Sequence, residues 1–204
     1  MNKLPKENKK SSPDFSQRLV DDVRKEMKAS GCVFDFTVRV VEPDESVPSE
    51  IQHREVLDTL FREIRERNEV DCKLEFDLTH ARPTRWGSDQ IVDPRPFVPG
   101  AYASSIKPFA SVTDFEWLFQ SFDNPPYRAM CRQGLFADFC EVVGLDADQE
   151  IDVLDWVGNC DAEPERSTWS NYFDAGKEWW GIWCLTVWNP RKRTISALAA
   201  SSTD

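Results

Sequence analysis

From Trp179 to Trp188 the chain runs through ten uncharged residues rich in aromatic and β-branched side chains. After the polar turn Asn189-Pro190-Arg191-Lys192, a second apolar run extends from Thr194 to Ser201. Two β-prone runs joined by a short turn predict an antiparallel hairpin. The last third therefore reads as sheet, with Ile151, Val153 and Trp156 marking one further strand. Consecutive Trp179 and Trp180 must point to opposite faces of a strand, so one is exposed unless both sheet faces are covered.

Upstream, helical and strand periods alternate. Ser12-Pro13-Asp14 supplies an N-cap, a proline at the first helical position and an acid in the first turn; Phe15, Leu19, Val23 and Met27 then recur at helical spacing up to Gly31. This predicts a helix over 13–29. Phe34, Phe36, Val38 and Val40 alternate with polar residues as a half-buried strand does. A second helix is expected over 49–68, on the stripe Val56, Leu57, Leu60, Phe61 and Ile64. Val70, Cys72, Leu74, Phe76 and Leu78 alternate strictly with Asp71, Lys73, Glu75 and Asp77, the clearest strand pattern in the sequence.

Strands so polar on one side suit a sheet with one wet face, which parallel units seldom leave. The expected class is α+β: a mostly antiparallel or mixed sheet, about four helices packed on it, and the Trp-rich hairpin at its C-terminal end. The expected organisation is a disordered basic tail over residues 1–11 and a single domain over 12–204.

From His80 to Val112 no period survives, and five prolines interrupt the run. This Pro-rich loop at 80–112 is either a connector whose arginines pair with the acidic third of the chain or a recognition loop carrying Arg82, Arg85, Trp86 and Arg95. Beyond it, Thr113-Asp-Phe-Glu116 fits a capping box opening a helix through Phe122. Asn124-Pro125-Pro126 opens another, with Tyr127, Met130, Cys131, Phe136, Phe139, Cys140 and Val143 inward and Gly144 at its end.

Charge is concentrated. The chain carries a formal −11 over 204 residues. Between Asp138 and Glu178, twelve carboxylates face only Arg166 and Lys177, a net of −10 in that stretch. Residues 1–10 carry +3. Nucleic acid is disfavoured as a partner, since phosphate binding needs a cationic footprint. A basic protein is favoured by the same field.

Catalytic signatures are weak. His53 and His80 are the two histidines, and both read as surface residues; no phosphate-cradling or nucleophile-elbow motif occurs. The six cysteines are scattered, with no pair at C-x-x-C spacing, and read as reduced, mostly buried side chains. Asp146, Asp148, Glu150 and Asp152 alternate as calcium-loop ligands do, but Ile151 stands at the turn glycine and Val157 at the bidentate position. The alternation suits Asp152 on the wet face of a strand that turns Ile151 and Val153 inward. Neither a metal nor a cofactor is expected. The aromatic cluster Trp169, Tyr172, Phe173, Trp179, Trp180, Trp183 and Trp188 is either core or a partly exposed binding patch. No uncharged run approaches the ~20 residues of a membrane helix, and the lysine-rich opening lacks the apolar segment of a secretory signal; a cytoplasmic address is expected, with no membrane partner.

The segment Trp169 to Asn189, with the ending Ala200-Ser-Ser-Thr-Asp204, resembles the C-terminal part of small acidic bacterial proteins that neutralise polymorphic or secretion-system toxins. The likeness covers roughly residues 155–204 and transfers no functional residue. It implies a non-catalytic immunity protein that binds a cognate, basic toxin in the cytoplasm and blocks its active site. The partner-binding candidates read from the charge map are Asp146, Asp148, Glu150, Asp152, Asp155, Asp161, Glu163 and Glu165, beside Trp179 and Trp180. Two alternatives stand: a hydrolase using carboxylates or a cysteine, and a structural or adaptor protein of a phage or bacterial assembly.

Overall fold

The computed structural model describes residues 14–67, 73–87, 90–95, 97, 114–123, 131–147, 150–177 and 181–201. The lysine-rich start of the chain, expected as a tail, lies outside them, as does most of the proline-rich segment.

The hairpin forms where the sequence places it. β4 (Ile182–Asn189) and β5 (Thr194–Ser201) pair from Ile182↔Ser201 to Asn189↔Thr194. Arg193, at φ 51°, closes the turn between them, and its guanidinium donates to the carbonyls of Val41 and Glu42. Around the hairpin, β1 (Asp35–Val40), β2 (Thr84–Arg85) and β3 (Asp152–Asp155) complete a five-stranded sheet in the order β1-β5-β4-β3-β2, every neighbouring pair antiparallel. With α1 (Asp14–Ala29), α2 (Glu50–Arg67), α3 (Asp114–Asp123) and α4 (Leu135–Val143), the class is α+β.

The helices divide between two faces. Trp183, Leu185, Val187, Leu198 and Ala200 pack against α1, α3 and α4, in a core dense with Phe34, Phe36, Phe119, Phe122, Phe136 and Phe139. Cys184, Trp188, Ile195, Ala197 and Ala199 face α2, with Trp156, Trp169 and Phe173. The expectation of one wet face is therefore corrected: both faces are covered. The physical reason is visible in β5, whose interior is buried from Ile195 to Ala200 on both sides, apolar but for Ser196, whose hydroxyl donates to Val143 O, as in a strand covered on both faces. No helix among the described residues is long and apolar enough to cross a membrane.

Three further expectations change. Of the strand read at 70–78, residues 70–72 lie outside the described set, Lys73–Asp77 joins no strand of the sheet, and Leu78 is already in a turn. Leu74 and Phe76 still turn inward, with Phe76 5.3 Å from the Phe61 ring, so the alternation reports a one-sided burial that a helix, not a strand, supplies. Among the described residues its β-type pairing is an isolated bridge, Phe76↔Ser170, outside the sheet. The helix expected from Asn124 onward begins at Leu135, after Gly134 at φ 87°; Cys131 lies before that turn, and residues 124–130 are not among those described. His53, read as a surface residue, is fully buried.

Candidate functional site

His53 sits on the same helical stripe as Val56, Leu57, Leu60 and Ile64, so α2 carries it into the core against β4. Its Nδ1 lies 2.7 Å from Thr186 Oγ1, which also accepts the Trp156 indole N–H at 2.9 Å. Its Nε2 has no hydrogen-bond partner and faces Asp152 Oδ2 at 3.9 Å. Asp152 is in turn held by Arg85 at 2.9 Å. Hydroxyl, imidazole and carboxylate thus stand in the order of a hydrolytic triad. Thr186 and His53 are both at 0% exposure, however, and the Thr186 oxygen is already engaged by the indole. A sealed hydroxyl meets no substrate; what this chain of groups does is position α2 on the sheet and titrate.

Burial holds His53 below the ordinary imidazole pKa, an effect that Arg85 reinforces and that Asp152 and Glu50 oppose. The folded protein therefore refuses a proton that the unfolded chain accepts below about pH 6.5, and this part of the stability is lost as pH falls. Burial raises the carboxyls of Asp35 and Asp155, whose contributions run the opposite way. Those are common to wild type and His53→Gln and cancel in the comparison. In urea unfolding between pH 7.5 and 5, the wild type is expected to lose stability relative to His53→Gln with a slope approaching about 1.4 kcal/mol per pH unit below pH 6.5. A difference constant across that range contradicts the assignment.

The acids read from the charge map divide. Asp155 turns inward and caps a tight turn, accepting from the amides of Val157 at 3.0 Å and Gly158 at 2.8 Å. Asp152, expected on a wet face, is occupied by Arg85 and the His53 edge. Asp146 is half-buried, whereas Glu150, Asp161, Glu163 and Glu165 are exposed. Asp148, Trp179 and Trp180 lie outside the described residues. Of the aromatics, Trp169, Phe173 and Trp188 are core. In the proline-rich segment Trp86 is buried, Arg85 pairs with the acidic strand at Asp152, Arg95 pairs with Asp93, and Arg82 donates to the carbonyls of Thr79 and Ala81.

A different set of residues comes together on the α2 side. The Asp77 amide donates to Trp169 O at 2.7 Å and the Asn171 amide to Glu75 O at 3.2 Å. The Asn171 side chain accepts from the Glu75 amide at 2.9 Å and donates to Lys73 O at 2.8 Å. These bonds weld Lys73–Asp77 to Thr168–Asn171 and leave an open groove of about 510 Å³, lined by Glu75, Asp77, Trp169, Asn171, Asp174 and Lys177 among others. Trp169 packs on Phe61 at 5.1 Å, so the floor is fixed by the core. The Thr79 hydroxyl and amide hold the Asp77 carboxyl below its ordinary value, which keeps it charged. Lys177 pairs with Asp174 at 3.1 Å, leaving the groove with more carboxylate than cation. Its wall, Thr168–Asn171, continues directly from the exposed acids Asp161, Glu163 and Glu165.

Glu75 and Asp77 were not legible as site residues, since nothing in an alternating segment says that a loop nearly a hundred positions later docks beside it. Asn171, Asp174 and Lys177 lie within the stretch that the charge map marks. Comparison with family models, curated proteins and solved structures returns no match.

Proposed function

We propose that this chain is a non-catalytic binding protein of the immunity type, which engages a basic protein partner, a cognate toxin, through its acidic face and covers that partner's active site. The observation that carries the reading is the groove between Glu75–Asp77 and Thr168–Lys177: it is open, its lining sets the carboxylates of Glu75, Asp77 and Asp174 against the single cation Lys177, and its backbone is locked by cross-segment hydrogen bonds. A preorganised acidic surface loses little conformational freedom on binding, and its field accelerates encounter with a cation-rich partner. The C-terminal likeness to toxin-neutralising proteins agrees with the same role, which would be exercised in the cytoplasm where such toxins act.

The test is a titration with the basic product of a neighbouring gene. The triple variant Glu75→Lys, Asp77→Lys, Asp174→Lys is expected to weaken binding at least about tenfold at low salt, with the difference shrinking as salt rises. A charge-matched control, Asp21→Lys, Asp22→Lys, Glu141→Lys, places the same reversal on exposed residues of α1 and α4 and is expected to change affinity far less. Equal losses in the two variants, or none in either, would overturn the assignment.

A further inference from the structure

Two thiols distant in sequence converge on one carbonyl in the helical layer of α1, α3 and α4. α1 ends in a left-handed turn at Gly31, φ 68°, where the Gly31 amide donates to Lys28 O at 3.2 Å and the Cys32 amide to Met27 O at 2.9 Å. That pattern fixes Cys32, the residue just past the left-handed Gly31. Cys131 directly precedes the turn that opens α4, closed by the Leu135 amide on Arg132 O at 3.2 Å. Both Sγ atoms stand 3.7 Å from Phe122 O, in the last turn of α3, and the two thiols are within hydrogen-bonding reach of each other. Both side chains are partly exposed, and Cys131 lines a pocket with Phe97, Phe119 and Arg132.

The two sulfurs are not equivalent. The hydrogen bond from Cys32 lowers the Cys131 thiol below its ordinary value, against the opposing effects of burial, Asp123 and Glu26, while burial raises Cys32. Cys131 is the better nucleophile and Cys32 the proton-bearing neighbour.

We propose that Cys32 and Cys131 form a reversible dithiol–disulfide pair, oxidised by low-molecular-weight disulfides of the glutathione class. The Cys131 thiolate attacks one sulfur of the reagent, whose S–S bond breaks and releases one thiolate. The sulfur of Cys32, giving its proton to solvent, then attacks the Cys131 side of the mixed disulfide and expels the second. Two protein thiols are oxidised to one disulfide, and one small disulfide is reduced to two thiols. The new bond ties the end of α1 to the entrance of α4 and closes a loop of about 100 residues, which restricts the unfolded chain.

The full chain is treated with oxidised glutathione under native conditions, alkylated, digested and mapped by mass spectrometry, with its thermal midpoint compared with the dithiothreitol-reduced sample. The expected product contains a peptide joining Cys32 to Cys131, and its midpoint is higher by roughly 5–15 °C. In Cys32→Ser, oxidation is expected to stop at a glutathionylated Cys131. Mapping of the wild-type chain needs no variant to fold. A disulfide to any other cysteine, glutathionylation without closure in the wild type, or recovery of both thiols free overturns the proposal.

Discussion

Replacing Trp156 by alanine is expected to cost about 4–5 kcal/mol of unfolding free energy, toward the upper end for an aromatic-to-alanine change. The indole is at 0% exposure at the centre of the core between α2 and the sheet. Three contacts with different partners pass through this residue. Its N–H donates to Thr186 at 2.9 Å, its backbone carbonyl accepts the Trp169 indole at 3.1 Å, and the Arg54 guanidinium lies 4.9 Å from its ring centroid. Truncation opens a cavity, exposes the His53–Thr186 pair to a void and removes the ring beneath Arg54. Trp156→Phe separates the effects: most of the ring volume stays, the donor goes, and the expected loss is about 1–2 kcal/mol. Equilibrium urea unfolding of both variants measures this; a loss below about 2 kcal/mol for the alanine contradicts the packing described.

The second large effect centres on Arg166, a residue that the charge map merely counted as one of two cations in an acidic stretch. Its side chain is 10% exposed. One guanidinium nitrogen, Nη2, donates to Asp155 O at 2.7 Å, Thr84 Oγ1 at 3.1 Å and Arg82 O at 3.3 Å, while Nη1 pairs with Glu163 at 3.0 Å. It thereby pins the edge strand β2, the end of β3 and the turn before Pro164 to one another. Arg166→Met keeps the aliphatic stem but leaves the part-buried Asp155 carbonyl, and the Thr84 hydroxyl and Arg82 carbonyl beside it, without their charged donor, with an expected cost of about 3 kcal/mol.

Gly158 reaches the same cluster from the backbone. At φ +60°, a Cβ there would lie 2.0 Å from Arg166 Nη1 and 2.8 Å from its Cζ. Gly158→Ala is therefore expected to cost about 3 kcal/mol, because it adds left-handed strain to eviction of the guanidinium. The two changes share one mechanism and must not add. In the Arg166→Met background, Gly158→Ala is expected to cost only the strain, about 1–2 kcal/mol. Full additivity in the double-mutant cycle contradicts the contact.

Local periodicity carried much of the architecture. α1, β1, α2 and α3 start and stop close to their apolar stripes and caps, and the β4–β5 hairpin was legible because both its strands and its turn lie within twenty consecutive residues, Ile182 to Ser201. What sequence could not show was which surface an element would meet. The alternation of Lys73–Leu78 is real, but period two states only that one side is apolar; Phe61 of α2 supplies the cover that a neighbouring strand was expected to give. His53 was hidden by its polarity. Its position, three and four residues before Val56 and Leu57, already lay on the buried stripe, and reading position before residue type would have found it. The expectation of one wet sheet face leaned on that misread segment, whereas the interior of β5, uncharged throughout and apolar except for Ser196, pointed to two covered faces. The acidity of the chain was legible as a block, but Asp152 and Asp155 leave it for structural work, and Glu75 and Asp77 join it only through pairing with Trp169–Asn171.

The central claim is that the acidic field acts through one place, the groove welded between Glu75–Asp77 and Thr168–Lys177. A two-dimensional ¹⁵N–¹H titration of the intact chain with a lysine-rich peptide tests it most directly. The predicted result is saturable, salt-sensitive shifts clustered at the amides of Glu75, Asp77, Asn171 and Asp174, with those of Asp21, Asp22 and Glu141 unmoved. Shifts spread evenly over both sets of acids, or confined to the second, would contradict it.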